Sequence, residues 1–134
     1  MHTLNAGMSS TSAYVTTPEM LADRYGNPGV AVLASPHLVR LAEAECVRCV
    51  APHLAAGMST VGVRLDVRHL AATPAGMRFT VRAELKEIDQ RRLVFDVQAT
   101  DETELCFAGT HERVMVETAR FLRRAAAKMR RLVP

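Results

Sequence analysis

Ser35-Pro36-His37-Leu38-Val39-Arg40-Leu41-Ala42-Glu43-Ala44-Glu45-Cys46-Val47-Arg48-Cys49-Val50-Ala51-Pro52 is the stretch that decides the fold. Serine followed by proline reads as a helix start, an N-cap and then a first helical residue that has no amide to leave unsatisfied. Pro52 blocks ordinary continuation, so a helix is predicted from Ser35 to about Ala51. With successive residues ~100° apart, Val39, Ala42, Cys46, Cys49, Val50 and Val47 share one broad apolar face. His37, Arg40, Arg48 and Glu45 fall on the opposite side. Glu43 breaks the division, since it lies inside the apolar arc, flanked by Val39, Val47 and Val50. A carboxylate there faces the core or an interface, and leaving it unpaired is costly.

Outward from this helix the periodicity changes. After Gly57 it is two: Val61, Val63, Leu65, Val67 and His69 share one face, and Arg64, Asp66 and Arg68 the other. His69 ends an otherwise apolar row. Thr73-Pro74-Ala75-Gly76 reads as a turn into Met77–Glu87, where Met77, Phe79, Val81, Ala83 and Leu85 alternate with polar residues. A turn around Asp89-Gln90-Arg91 leads to inward Leu93, Phe95, Val97 and Ala99. Asp101-Glu102-Thr103 turns into a last strand over about Glu104–Val116, and helix resumes from Glu117. On the other side, residues 1–12 are small and polar and expected to be ragged, as is the extreme C-terminus. Ala13–Thr17 is read as a short strand. Thr17-Pro18-Glu19 opens a short helix that Gly26 ends, and Asn27-Pro28-Gly29 is a turn. The predicted order is strand, short helix, long apolar helix, four strands in a meander and a terminal helix. This is an α+β architecture, one antiparallel sheet against one buried helix, in a single domain over 1–134.

The chain has 134 residues, 49% hydrophobic and 23% charged, with no Trp. That length suits one domain burying about two-thirds of its unfolded surface, with a core of Val, Leu, Ala and Met. No basic segment followed by an apolar run opens the chain, and no apolar stretch approaches the ~20 residues of a membrane span. Cys46, Cys49 and Cys106 are an odd number and are expected as reduced thiols in a cytoplasmic protein. Arg120, Arg123, Arg124, Lys128, Arg130 and Arg131 concentrate the positive charge in the tail, leaving 11 basic against 14 acidic residues elsewhere. Such a tail suits the phosphates of a ligand, an acidic partner or nucleic acid, though a solvated helix face is the commoner meaning.

Few motifs carry chemistry. Cys46-Val47-Arg48-Cys49 fits C-x-x-C but has no second Cys/His pair, so core packing is the better reading. His111-Glu112-Arg113 lacks the second histidine of H-E-x-x-H, and no metal site is expected. There is no P-loop, no dinucleotide glycine fingerprint and no RNA-binding aromatic motif. Glu43, His69 and Ser35 remain. Ser35 as a mere cap and His69 as a strand-end histidine bonded to backbone are the structural alternatives. Together, an inward Glu, an inward His and a hydroxyl two turns before the Glu form a set that acyl transfer can use.

Read in order, Val32 to Glu43, Cys46-Val47-Arg48, Ala51-Pro52, Thr60-Val61-Gly62-Val63, Val67 to Pro74 and Gly109-Thr110-His111-Glu112-Arg113 resemble the fluoroacetyl-CoA thioesterase-like family of hot-dog proteins. The similarity runs from about Pro28 to Phe121. It implies a long central helix wrapped by a curved antiparallel sheet, paired into a homodimer with joined sheets, and an acyl-CoA site near the protomer interface. The family's catalytic hydroxyl, usually threonine, falls on Ser35, its glutamate on Glu43 and its histidine on His69. Its glycine beside the reacting centre falls on Gly62, and Arg113 is expected to bind substrate. The implied activity is hydrolysis of a small or medium acyl-CoA or acyl-carrier-protein thioester, with coenzyme A entering only as part of the substrate. No cofactor, nucleic acid or membrane partner is expected. Glu43 would be general base or nucleophile, and Ser35 would orient or attack. The alternatives are a non-hydrolytic acyl-thioester binding or accessory protein and a hot-dog dehydratase. The fluoroacetyl-CoA enzyme of that family has lid phenylalanines before the helix. Here Gly26–Leu33 has no aromatic residue, so a roomier and more pliable acyl wall is expected.

Overall fold

The computed structural model describes residues 2–132. Strand β1 (Ser9–Val15), helix α1 (Ser35–Val50), strands β2 (Met58–His69), β3 (Arg78–Asp89), β4 (Arg92–Asp101) and β5 (Leu105–Glu117), and helix α2 (Thr118–Arg130) follow in chain order. The five strands make one antiparallel sheet in the order β1-β3-β4-β5-β2. Only β3, β4 and β5 form a meander. The expected four-strand meander fails because the connection 70–77 carries the chain past β5 and β4, leaving β2 as an edge beside β5.

The core lies between α1 and the inner face of the sheet. Phe79, Val81, Ala83 and Leu85 of β3 and Leu93, Phe95, Val97 and Ala99 of β4 are all buried, as their alternation predicts. Leu38, Leu41, Ala42, Cys46, Cys49 and Val50 of α1 close over them. Each fully buried Phe or Leu contributes about 2 kcal/mol, which makes these rows the anchor of the fold.

Residues 1–12 are not ragged throughout. Leu4 enters the core, Gly7 and Met8 bond to Leu85 by backbone, and β1 starts at Ser9, four residues before the expected Ala13. Its first five residues are only Ser, Thr and Ala and carry no hydrophobic alternation; pairing with β3 makes them part of the strand. The expected raggedness of Val133 and Pro134 lies outside the described residues. The short helix after Thr17 is two 3-10 turns, Pro18–Met20 and Ala22–Arg24, with no side-chain cap from Thr17.

Two sequence assignments of faces change. His37 and Glu45, expected on the solvent side of α1, are buried, whereas Val47 is exposed. β1 and the segment before α1 cover that flank: Glu45 accepts from Ser10 Oγ and from Arg48 Nη1 (2.6 Å), and Tyr25 Oη lies 2.6 Å from His37 Nδ1. The predicted inward row of β2 is broken as well. Gly62 pairs with Arg113 and Arg64 with Glu112, leaving Val63 as an extra residue in a bulge. A bulge reverses the parity of the strand. Thr60 and Gly62 therefore face inward before it, and Leu65, Val67 and His69 after it. Gly62 and His69, of opposite parity in sequence, share one face.

Candidate active site

Helix α1 presents Ser35, Val39, Glu43 and Val47 along one incompletely covered stripe facing the inner side of β2. At its start, Ala34 is the N-cap, with no side-chain cap bond, and Ser35 is already helical. The Ser35 hydroxyl is instead 2.6 Å from His69 Nδ1. Burial pulls the His69 pKa below its usual value, with a smaller opposing pull from the Ala71 backbone. The imidazole is thus neutral near pH 7, and Nδ1 can accept the Ser35 hydroxyl hydrogen. A cleft of about 400 Å³ opens beside the pair, walled by Val30, Val32, Leu70 and Ala71.

Two turns along, ~12 Å by helix rise, a second group forms around Glu43. Arg113 Nη1 donates to Glu43 Oε1 at 3.3 Å. The Arg113 guanidinium is almost fully buried and is fixed by three further bonds: Nε to Thr60 Oγ1 and Nη2 to the Thr60 carbonyl, both 2.9 Å, and Nη1 to His111 Nε2 at 3.0 Å. His111 Nδ1 is 2.8 Å from the Arg64 carbonyl. A carbonyl only accepts, so Nδ1 carries the hydrogen and Nε2 offers its lone pair to Arg113. Burial lowers the His111 pKa, in keeping with a neutral ring. Gly62 completes this group: a Cβ there would lie 3.0 Å from Glu43 Oε1, 3.1 Å from His111 Cε1 and 3.4 Å from Arg113 Nη1. The missing side chain makes room for the Glu43–Arg113–His111 cluster.

The sequence-expected residues thus fall into two groups, Ser35 with His69, and Glu43 with Gly62 and Arg113. Ser35 does not bond Glu43 within one protomer. His111 stands in the sequence as half of a metal motif and within the family-resembling stretch Gly109–Arg113, without a role of its own in the expected site. The available signal was the period-two row Phe107, Gly109, His111, Arg113, Met115 on an inner strand face. Cys46 is buried and its thiol is pushed up to about 12, while burial also raises Cys49 and Cys106; all three pack as free thiols. No group of three or more His, Cys, Asp or Glu among the described residues could hold a metal ion.

The fold and site have counterparts among known proteins. Residues 16–119 match the family described as fluoroacetyl-CoA-specific thioesterase, FlK. A fluoroacetyl-CoA thioesterase from Streptantibioticus cattleyicolor is 40% identical over 103 residues, 77% of this chain and 71% of that protein. The structure of the fluoroacetyl-CoA thioesterase FlK aligns with a TM-score of 0.84 at 34% identity, covering 98% of this chain and 99% of the other. A FlK variant crystallised with fluoroacetate and CoA aligns with a TM-score of 0.80 at 34% identity over 88% of this chain and 99% of its own. The hot-dog architecture expected from the sequence is therefore the one observed.

Proposed function

The chain belongs to the fluoroacetyl-CoA-specific thioesterase family, and from that premise we propose that it hydrolyses a small or medium acyl-CoA thioester at a Ser35, Glu43 and His69 site lying at a homodimer interface. The observation that carries this reading is the 2.6 Å contact between Ser35 Oγ and a neutral His69 at the wall of an apolar cleft. A hydroxyl held on an imidazole, with an Arg-braced carboxylate on the same helix stripe, supplies the groups acyl transfer needs.

A thiolate leaves readily, so the protein's task is to place an oxygen against the carbonyl and stabilise the resulting oxyanion. In hydrolysis a C–O bond forms and the C–S bond breaks; where water or the Ser35 hydroxyl attacks, the proton it loses passes through His69 to the coenzyme A thiolate, and where the Glu43 carboxylate attacks, the thiolate leaves first and takes the proton released when water opens the anhydride. Glu43 either attacks the carbonyl to give an anhydride or activates the water. Arg113, held by Thr60 and His111, fixes the carboxylate and binds substrate. Rapid quench followed by peptide-level mass mapping separates the routes, since the acyl mass remains on the Ser35 peptide position, on Glu43, or on neither.

What one protomer leaves open supports the dimer. The outer edge of β2 has no strand partner among the described residues, and Val63 and Leu65 are 56% and 39% exposed. A long apolar edge is a liability unless another chain covers it. Two copies related by a two-fold axis pair β2 with β2 antiparallel and join the sheets. The test of function is thiol release from a panel of acyl-CoAs. Release at enzymic rates supports hydrolysis, whereas saturable binding without release supports the non-hydrolytic alternative.

A further inference from the structure

The cleft beside Ser35 and His69 is lined by one further polar side chain. The rest of its lining is Ala, Val and Leu, with no Lys, Arg, Asp or Glu. The exception is Asn27, an exposed residue on the segment before α1. An asparagine ahead of Pro28-Gly29 has an ordinary use, since it commonly opens a turn with its side chain bonded to the backbone two residues on. The turn is present. Val30 N donates to the Asn27 carbonyl at 3.3 Å, and Gly29 has a φ of 80°, as the third position of a type II turn requires. The side chain takes no part in it. Tyr25 bonds His37 and Ser35 bonds His69, but no hydrogen bond among the described residues takes up the Asn27 carboxamide.

The backbone that carries this carboxamide is held in place. Asn27 N donates to the Ala22 carbonyl at 3.1 Å, and Asp23 N donates to the Val30 carbonyl at 3.1 Å. A polar group on a fixed backbone loses little entropy on binding, and in an apolar wall it sets the orientation that apolar contacts leave free. The carboxamide has two donor hydrogens and an acceptor oxygen, so it suits a hydroxyl or a carbonyl oxygen. A carboxylate is served poorly. No cation lines the cleft, burial keeps the His69 ring neutral, and the Arg113 guanidinium is turned to Glu43, two helix turns along. A carboxylate entering would lose water without gaining a countercharge.

We propose that Asn27 is a specificity-determining residue that hydrogen-bonds a neutral oxygen substituent on the acyl chain, so that the cleft selects hydroxyacyl-CoA thioesters. The inference rests on the acyl-CoA hydrolysis reading. The test measures kcat/KM for butyryl-CoA, α- and β-hydroxybutyryl-CoA and glutaryl-CoA in wild type, Asn27→Leu and Asn27→Ala. Leucine keeps most of the volume and removes every hydrogen-bonding group, whereas alanine removes the volume as well. Wild type should favour at least one hydroxyacyl substrate over butyryl-CoA. Both variants should lower that ratio about fivefold, the worth of one hydrogen bond. An unchanged ratio overturns the proposal, whether or not the absolute rates fall, because an equal loss on both substrates means that Asn27 meets the coenzyme A portion or shapes the turn. A ratio lowered by alanine and kept by leucine also overturns it, since space and not hydrogen bonding would then decide. Preference for glutaryl-CoA over both hydroxyacyl substrates overturns the neutral class. In each of these cases thiol release by wild type leaves the hydrolytic reading standing. Absence of thiol release by wild type from all four substrates overturns that reading, and the proposal with it.

Discussion

Ser35 carries two incompatible assignments that a single substitution separates. As a cap it would stabilise the helix by ~1 kcal/mol; as the partner of His69 it belongs to the chemistry. The cap position is occupied by Ala34, and the hydroxyl lies on the imidazole. Ser35→Ala should therefore shift stability by less than about 0.5 kcal/mol while lowering kcat/KM, read by thermal melting and thiol release. A cap would give the reverse pattern. His69 supplies a pH signature. Its pKa is lowered by burial, and only the neutral ring can take a proton, so activity should persist as pH falls to the ordinary histidine value of about 6.5 and fail only below it. A kcat/KM profile whose acid limb lies above that value would contradict the assignment. His111 shows where residue-level reading stops. Its partner Arg113 was visible through family resemblance, but its own role depends on the Arg64 carbonyl across the sheet, which no local spacing encodes.

At the scale of elements, β3, β4 and α1 were legible because their apolar residues recur at the period of the structure they form. β1 was not, since Ser9–Val15 becomes a strand through pairing with β3. The bulge at Val63 was hidden for a related reason: an extra residue leaves no mark in the alternation, yet it turns Gly62 toward Glu43. The segment before α1 differs from its expectation too. It has no aromatic residue from Gly26 to Leu33, but it is tied rather than pliable. Leu21 bridges Leu33, Val32 bridges Pro74, Asp23 bonds Val30, and Tyr25 meets His37. The cleft wall offered by Val30 and Val32 is small and fixed in place. Without a ring beside the acyl carbon, sensing one fluorine falls to weak contacts. Specificity constants for fluoroacetyl-, acetyl-, butyryl- and a branched acyl-CoA should differ modestly, with longer chains accepted. A preference for fluoroacetyl over acetyl above ~1,000-fold, about 4 kcal/mol in transition-state binding, would show that this wall suffices for discrimination.

At the scale of the molecule, one face of the sheet is finished and one edge is not. The outer face carries ion pairs between Arg64 and Glu112, Arg92 and Glu112, Arg82 and Glu84, and Lys86 and Asp96, as a solvated surface does. The β2 edge has exposed Val63 and Leu65 instead. The expected assembly is a dimer through β2. Multi-angle light scattering at micromolar concentration should give twice the chain mass, and a folded, active monomer would reject it. Participation of Glu43 in acyl-CoA hydrolysis is tested by thiol release from acyl-CoA by wild type and by Glu43→Gln, with folding checked by circular dichroism. The expected result is turnover by wild type and a loss of ~100-fold or more in the variant. A folded Glu43→Gln protein with undiminished turnover would contradict it.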